Sequence, residues 1–200
     1  MSKNLGPIHH WLYRKISIQN MLGNEIIKNS GNALILGKKT DHACGKISDK
    51  PLEEIIDTDN IHGFLQELVN VVEKRLAFVA GKLLSNKIMS IEAMSKIAYN
   101  VGLQNPIEAV GTTHEVFNAL NDMLLDGMPC DRVNQIIDES DSKILWQQTT
   151  DLHLPFWQDN NIDVSNYYIL RENLVLGALN GTDFTYGKNE DRFIIEKVEK

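Results

Sequence analysis

Four side chains suited to metal ligation are spread along the chain: His9, His62, Cys130 and His153. Imidazole nitrogen and thiolate sulfur are donors that zinc and iron accept, and three or four of them must meet at one point to hold the ion. Asp151 stands two residues before His153, so in an extended segment both side chains share a face and the carboxylate can orient the imidazole. Cys130, His153 and Asp151 are equally the parts of a thiol triad, in which the imidazole takes the proton of an attacking sulfur.

Helix geometry sorts these candidates. At 100° per residue, His9 of the HHWLY stretch falls with Ile27 and close to Ile16 on the shoulder of an apolar face, while His10 falls with Ser17 and Lys28 on the polar side. His62 lies beside Val69 and Ala80 at the edge of a second stripe. His9 and His62 therefore sit near the starts of two helices, and they converge only if residues 31–57 cross over to make those helices parallel neighbours. His114 reads as a half-exposed helix histidine, and His42 with Cys44 in DHACG supply too few ligands for a metal.

Arg75 stands inside an apolar arc, between Leu68 and Phe64. A guanidinium there needs a carboxylate or an anionic ligand, although its stem can snorkel outward. Trp146, Phe156, Trp157, Tyr167 and Tyr168 crowd the region around His153. Such aromatic walls build either a core or a small-molecule pocket, and Arg75, Trp146, Trp157 and Tyr167 are the expected ligand-binding set.

The elements that must position these groups are mostly helical. Pro7 suits a first helical turn, and Ile8, Trp11, Leu12, Ile18, Leu22 and Ile26 return at helical spacing up to a stop near Asn29-Ser30-Gly31. ALILGKKTDHACGKISDKP reads as a solvated connection; its GKK and its spacing do not fit a phosphate loop. IHGFLQELVNVVEKRLAFVAGKLL is the strongest helix, with a stripe wide enough for more than one neighbour. SIEAMSKIAYNVG and PIEAVGTTHEVFNALNDMLLDG follow as helical stretches, stopped at Gly127. RVNQIIDESDSKILWQQT then reads as a β-hairpin, DVSNYYILRENLVLGAL as a helix, and TDFTYGKNEDRFIIEKV as two strands around a turn. The fold class is mainly α: a helical bundle over 1–125, followed by a smaller α+β unit over 126–200 packed on it, with one or two β-hairpins.

Composition limits the function. A net charge of -7 disfavours nucleic acid, whose binding needs clustered Lys and Arg. No run of about 18 apolar residues predicts a membrane span, and the first residues lack the apolar core of a signal peptide, so a cytoplasmic location is expected. Two distant cysteines without a CxxC suit free thiols. The GxSxG elbow of serine hydrolases is missing, as are the later motifs that accompany DxH in metallophosphoesterases.

At GPIHHWLY, IHGFLQ and DGMPCD the sequence resembles an uncharacterised bacterial protein family. The closing segment NYYILRENLVLGALNGTDFTYGKNEDRFIIEKV is similar to the end of vinyl-reductase-type ligand-binding domains, without their cysteines. That likeness implies small-ligand binding and transfers no residue. The reading that follows is a protein binding a metal ion, zinc or iron, or a small ligand through His9, His62, Cys130 and His153, between the helical and α+β parts, with homo-oligomerisation open. A thiol or metal-assisted hydrolase and an interaction protein without a site are the alternatives.

Overall fold

The computed structural model describes residues 5–108 and 110–198. It is mainly helical with a small antiparallel sheet near its C-terminal end, as the sequence pattern implies. The helices are α1 (Pro7–Lys28), α2 (Ala33–Cys44), α3 (Leu52–Ile55), α4 (Ile61–Ser85), α5 (Ile91–Leu103) and α6 (Thr113–Met123). The hairpin β1 (Asn134–Glu139) and β2 (Lys143–Gln148) follows, then α7 (Leu154–Gln158), α8 (Ser165–Ala178), β3 (Phe184–Asn189) and β4 (Arg192–Lys197).

Sequence grammar accounts for most element starts. The Asn60 side chain accepts from the Gly63 amide, Ser90 from that of Ala93, and Thr112 with Glu115 closes a capping box on α6. The sheet order is β1-β2-β4-β3, every pair antiparallel. Period-two alternation turns Ile144 and Trp146 of β2, Phe193 and Ile195 of β4, and Phe184 and Tyr186 of β3 to one buried face. α6 and α8 cover that face.

One buried cluster runs from Ile18 of α1 through α4, α5 and α6 to Ile195 of β4, so the helical and α+β parts share a core. A second cluster packs Leu12 and Ile16 of α1 on the first half of α4, with Leu125 and Met128 from the segment after α6.

Four segments depart from the sequence expectation. The solvated connection is largely helix α2, which buries only Thr40 and leaves Leu34 71% exposed. Its lysines and glycine conceal the helix because no continuous apolar face is needed where so little is buried. LPFWQ forms the short α7, and His153 stands at its N-cap in helical conformation, so Asp151 and His153 do not alternate along an extended strand. The helix expected from Pro106 to Gly127 is shorter: residues 106–108 and 110–112 are not helical, and α6 runs only from Thr113, behind its Thr112 cap, to Met123; LEEI, outside any expected element, forms the single turn α3.

Candidate functional site

Four ionisable side chains from separate elements meet between the bundle and the sheet. Glu73 comes from the buried face of α4, Asp126 from the segment after α6, His153 from the start of α7 and Arg171 from α8; all four are buried. His153 Nδ1 donates to Glu73 Oε2 at 3.1 Å. Its Nε2 lies 3.6 Å from Asp126 Oδ1, a charge contact longer than a hydrogen bond. Arg171 donates to both Asp126 oxygens, at 2.5 and 3.0 Å. The Asp126 carboxylate also accepts from Asn134 Nδ2 at 3.1 Å and Gln148 Nε2 at 3.0 Å. The Tyr167 ring stacks on the imidazole with centroids 3.8 Å apart.

The charges balance, two anions against two cations. Burial alone would depress the His153 imidazole, but the Glu73 carboxylate and then Asp126 override it and raise its pKa to about 9. Burial opposes ionisation of Asp126 as well, yet Arg171 above all, with His153, holds the carboxyl well below its ordinary range. His153 is thus an imidazolium at neutral pH, with a carboxylate facing each ring nitrogen.

A charged group beside this quartet lacks an anionic partner. Lys15, on the buried face of α1, is 5% exposed. Its Nζ sits 3.9 Å from the centroid of the Trp11 ring, a cation–π contact. Among the described residues no carboxylate approaches it within ion-pair distance; Asp122, the nearest acid on α6, accepts the Trp11 indole N–H at 2.7 Å. Burial lowers the Lys15 amine to about 8, with Arg171 adding to the effect and Asp126 and Asp122 opposing it. Lys15 and Trp11 form one wall of a cleft of about 370 Å³, faced by Phe117 and Asn121 of α6, the segment 126–133 and Asn134 of β1. Asn134 also lines the cleft, while its Oδ1 is buried without a hydrogen-bond donor among the described residues.

The DGMPCD turn shapes the cleft floor. Gly127 has φ +73°, and a Cβ there would stand 2.4 Å from both Asp131 Oδ2 and Leu152. Asp131 in turn accepts the Met128 amide at 2.7 Å, closing the turn that carries Asp126 inward.

The sequence candidates are distributed differently from the expected cluster. Of His9, His62, Cys130 and His153, only His153 is buried; His62 and Cys130 are exposed. His9 Nδ1 accepts the Gly6 amide at 2.9 Å and so caps its own helix. Among the described residues no three His, Cys, Asp or Glu side chains are arranged to hold a metal ion. Asp151 does not orient the imidazole; its Oδ1 accepts the backbone amides of His153 and Leu154, each at 2.9 Å, as a helix cap. With both nitrogens of His153 turned to Glu73 and Asp126, the imidazole is not directed at Cys130 as a thiol triad requires.

Arg75 is buried and structural in its contacts: Nη1 donates to Asp41 Oδ1 at 2.6 Å and to the Gly45 carbonyl at 2.5 Å, tying the end of α2 to α4. Trp146 stacks on Phe193 and meets Phe117 edge-on, and Trp157 is wholly buried, so both belong to the core. Tyr167, stacked on His153, and Tyr168, edge-on to it, are the members of the aromatic set that meet the quartet. His114 pairs with Glu139 of β1, and His42 is exposed.

Sequence reasoning missed Lys15, Glu73, Asp126 and Arg171. For three of them the available signal was the one read for Arg75, a charge inside an apolar helical stripe. Lys15 lies between Trp11 and Ile18, Glu73 between Val69 and Leu76, and Arg171 between Tyr167 and Leu174. Comparison with known proteins found no matching family, no matching curated protein and no matching solved structure. The chemistry of the site rests on its own side chains.

Proposed function

We propose that the protein binds a small organic anion with a flat apolar body in the cleft between α1, α6 and the 126–134 segment. One observation carries this reading: Lys15 is 5% exposed as a residue, and its ammonium, held against the Trp11 ring, lines the cleft with no carboxylate at ion-pair distance among the described residues. A partly desolvated ammonium is stabilised by a counter-charge, and an anionic ligand in the cleft would supply one. The remaining walls suit such a guest. Trp11 and Phe117 offer aromatic faces, and Arg132 adds a second cation at the rim. A volume of about 370 Å³ falls in the range of small-molecule pockets.

Asp126 also lines the cleft, but its charge is spent on Arg171. The quartet therefore acts as a neutral, rigid floor that holds Asn134 and Gln148 in place and leaves Lys15 as the charge a ligand meets. This retains the expectation of a small-ligand site between the helical and α+β parts, and replaces its His/Cys donors with Lys15 and its aromatic neighbours.

The test is calorimetric titration of the full chain with small aromatic carboxylates such as 4-methylbenzoate, with Lys15→Met as control. The reading predicts saturable binding by the wild type that is lost in the variant. It also predicts affinity that declines above about pH 8, where the free amine loses its proton. Equal binding by Lys15→Met, or none by either protein across a panel of carboxylates, phosphates and sulfonates, would contradict it.

A further inference from the structure

The same buried amine has a second chemistry. We propose that Lys15 forms an imine with a small aldehyde or ketone acid that enters the cleft, making the site a covalent carbonyl-binding site. This inference rests on the cleft reading above and adds the bond.

The geometry supplies what imine formation needs. Nucleophilic attack requires a neutral amine, and a lysine becomes one near neutral pH when it is desolvated or placed near another cation. Lys15 meets the first condition: it is 5% exposed, and this burial is what lowers its amine, against the Asp126 carboxylate, which outweighs the Arg171 charge. Asp126 and Asp122 favour the ammonium form, but they are bound to Arg171 and to the Trp11 indole, and among the described residues neither makes an ion pair with Lys15. The amine near pKa 8 agrees with this arrangement. Trp11 packs beneath Nζ and restricts where it can point.

The step balances without any redox partner. The Nζ lone pair attacks the carbonyl carbon, and the C=O π pair moves onto oxygen. A proton passes from nitrogen to that oxygen to give the carbinolamine. Protonation of the hydroxyl then lets it leave as water while the nitrogen lone pair closes the C=N bond. Arg132 at the rim would hold the guest's carboxylate.

The experiment uses the full chain with 4-carboxybenzaldehyde and borohydride, followed by peptide mapping. Reduction fixes any imine as a stable secondary amine. The proposal predicts that Lys15 is labelled about ten-fold faster than any other lysine at pH 7, because more of its amine is neutral. Its labelling rate should rise towards pH 8 and then level, and excess 4-methylbenzoate should suppress it. Labelling spread over exposed lysines with no preference for Lys15 would overturn the proposal. If 4-methylbenzoate still binds in that case, the imine fails and the anion site stands; if it does not bind either, both fall. Because the mapping is done on the wild-type chain, the result does not depend on a variant that folds.

Discussion

His153 is held as a cation by its neighbours, and that fixes the sign of a pH effect on stability. Its pKa is raised from the ordinary 6.5 to about 9 in the folded chain. The stabilisation is fully present below the unfolded value and is lost as pH rises through the folded one. Urea denaturation is therefore expected to show stability declining between about pH 6.5 and 9. Lys15 has the opposite sign, its folded pKa being depressed to about 8, so its burial penalty is relieved only above that pH. Asp126, depressed well below its ordinary value, protects the fold above the usual carboxylate range and loses its effect in acid. Asp126→Asn leaves the Arg171 guanidinium buried beside a neutral amide, and a loss of about 3–5 kcal/mol is expected by the same denaturation assay. At this scale the sequence was partly legible. A charge inside an apolar stripe marks a buried ion, and the spacing of Lys15, Glu73 and Arg171 shows that pattern as clearly as Arg75 does. What the pattern does not contain is the partner, because Glu73 and His153 are 80 residues apart and meet only through tertiary packing.

Among the elements, α5 and α8 make the closest contact. A Cβ on Gly177 would stand 2.1 Å from the Tyr99 carbonyl oxygen, and one on Gly102 would stand 2.1 Å from that of Leu174. The two backbones touch through paired glycines, and no side-chain rotation can relieve an added methyl. Gly177→Ala should therefore cost about 3 kcal/mol and displace α8, which carries Tyr167 and Arg171. Thermal unfolding would measure the cost, and a change in tyrosine and tryptophan near-ultraviolet dichroism would report the displacement. The long helices and the strands β2, β3 and β4 were readable from periodicity because each buries one regular face, whereas β1, largely exposed, was read from the polar DESDS turn that follows it. α2 was not, since it lies on the surface with a single fully buried residue, Thr40. Asp151 and His153 were placed on one strand face because a two-residue spacing reads that way, but the following Leu-Pro starts a helix and turns the Asp151 carboxylate into its cap.

For the molecule as a whole, the shared core explains why the cleft lies where it does. α1 and α6 meet the 126–134 segment at the junction of the two parts, and Asp126 links the cleft to the buried quartet. Among the described residues no helix is long and apolar enough to cross a membrane. The expectation of a site between the helical and α+β parts came from four histidine and cysteine donors, and the proposed site uses none of them as a ligand contact. Residue type suggested those donors, whereas burial without a partner, which no single sequence displays, points to Lys15. A buried unpaired cation retained at a cleft lowers stability in favour of binding, so Lys15→Met should unfold later than the wild type by about 1 kcal/mol. The most direct measurement compares the two proteins with and without 4-methylbenzoate in one thermal-unfolding experiment at pH 7. The account predicts that the variant starts higher and does not respond, while the wild type starts lower and rises with ligand concentration. A variant less stable than the wild type, with both responding equally to the carboxylate, would contradict it.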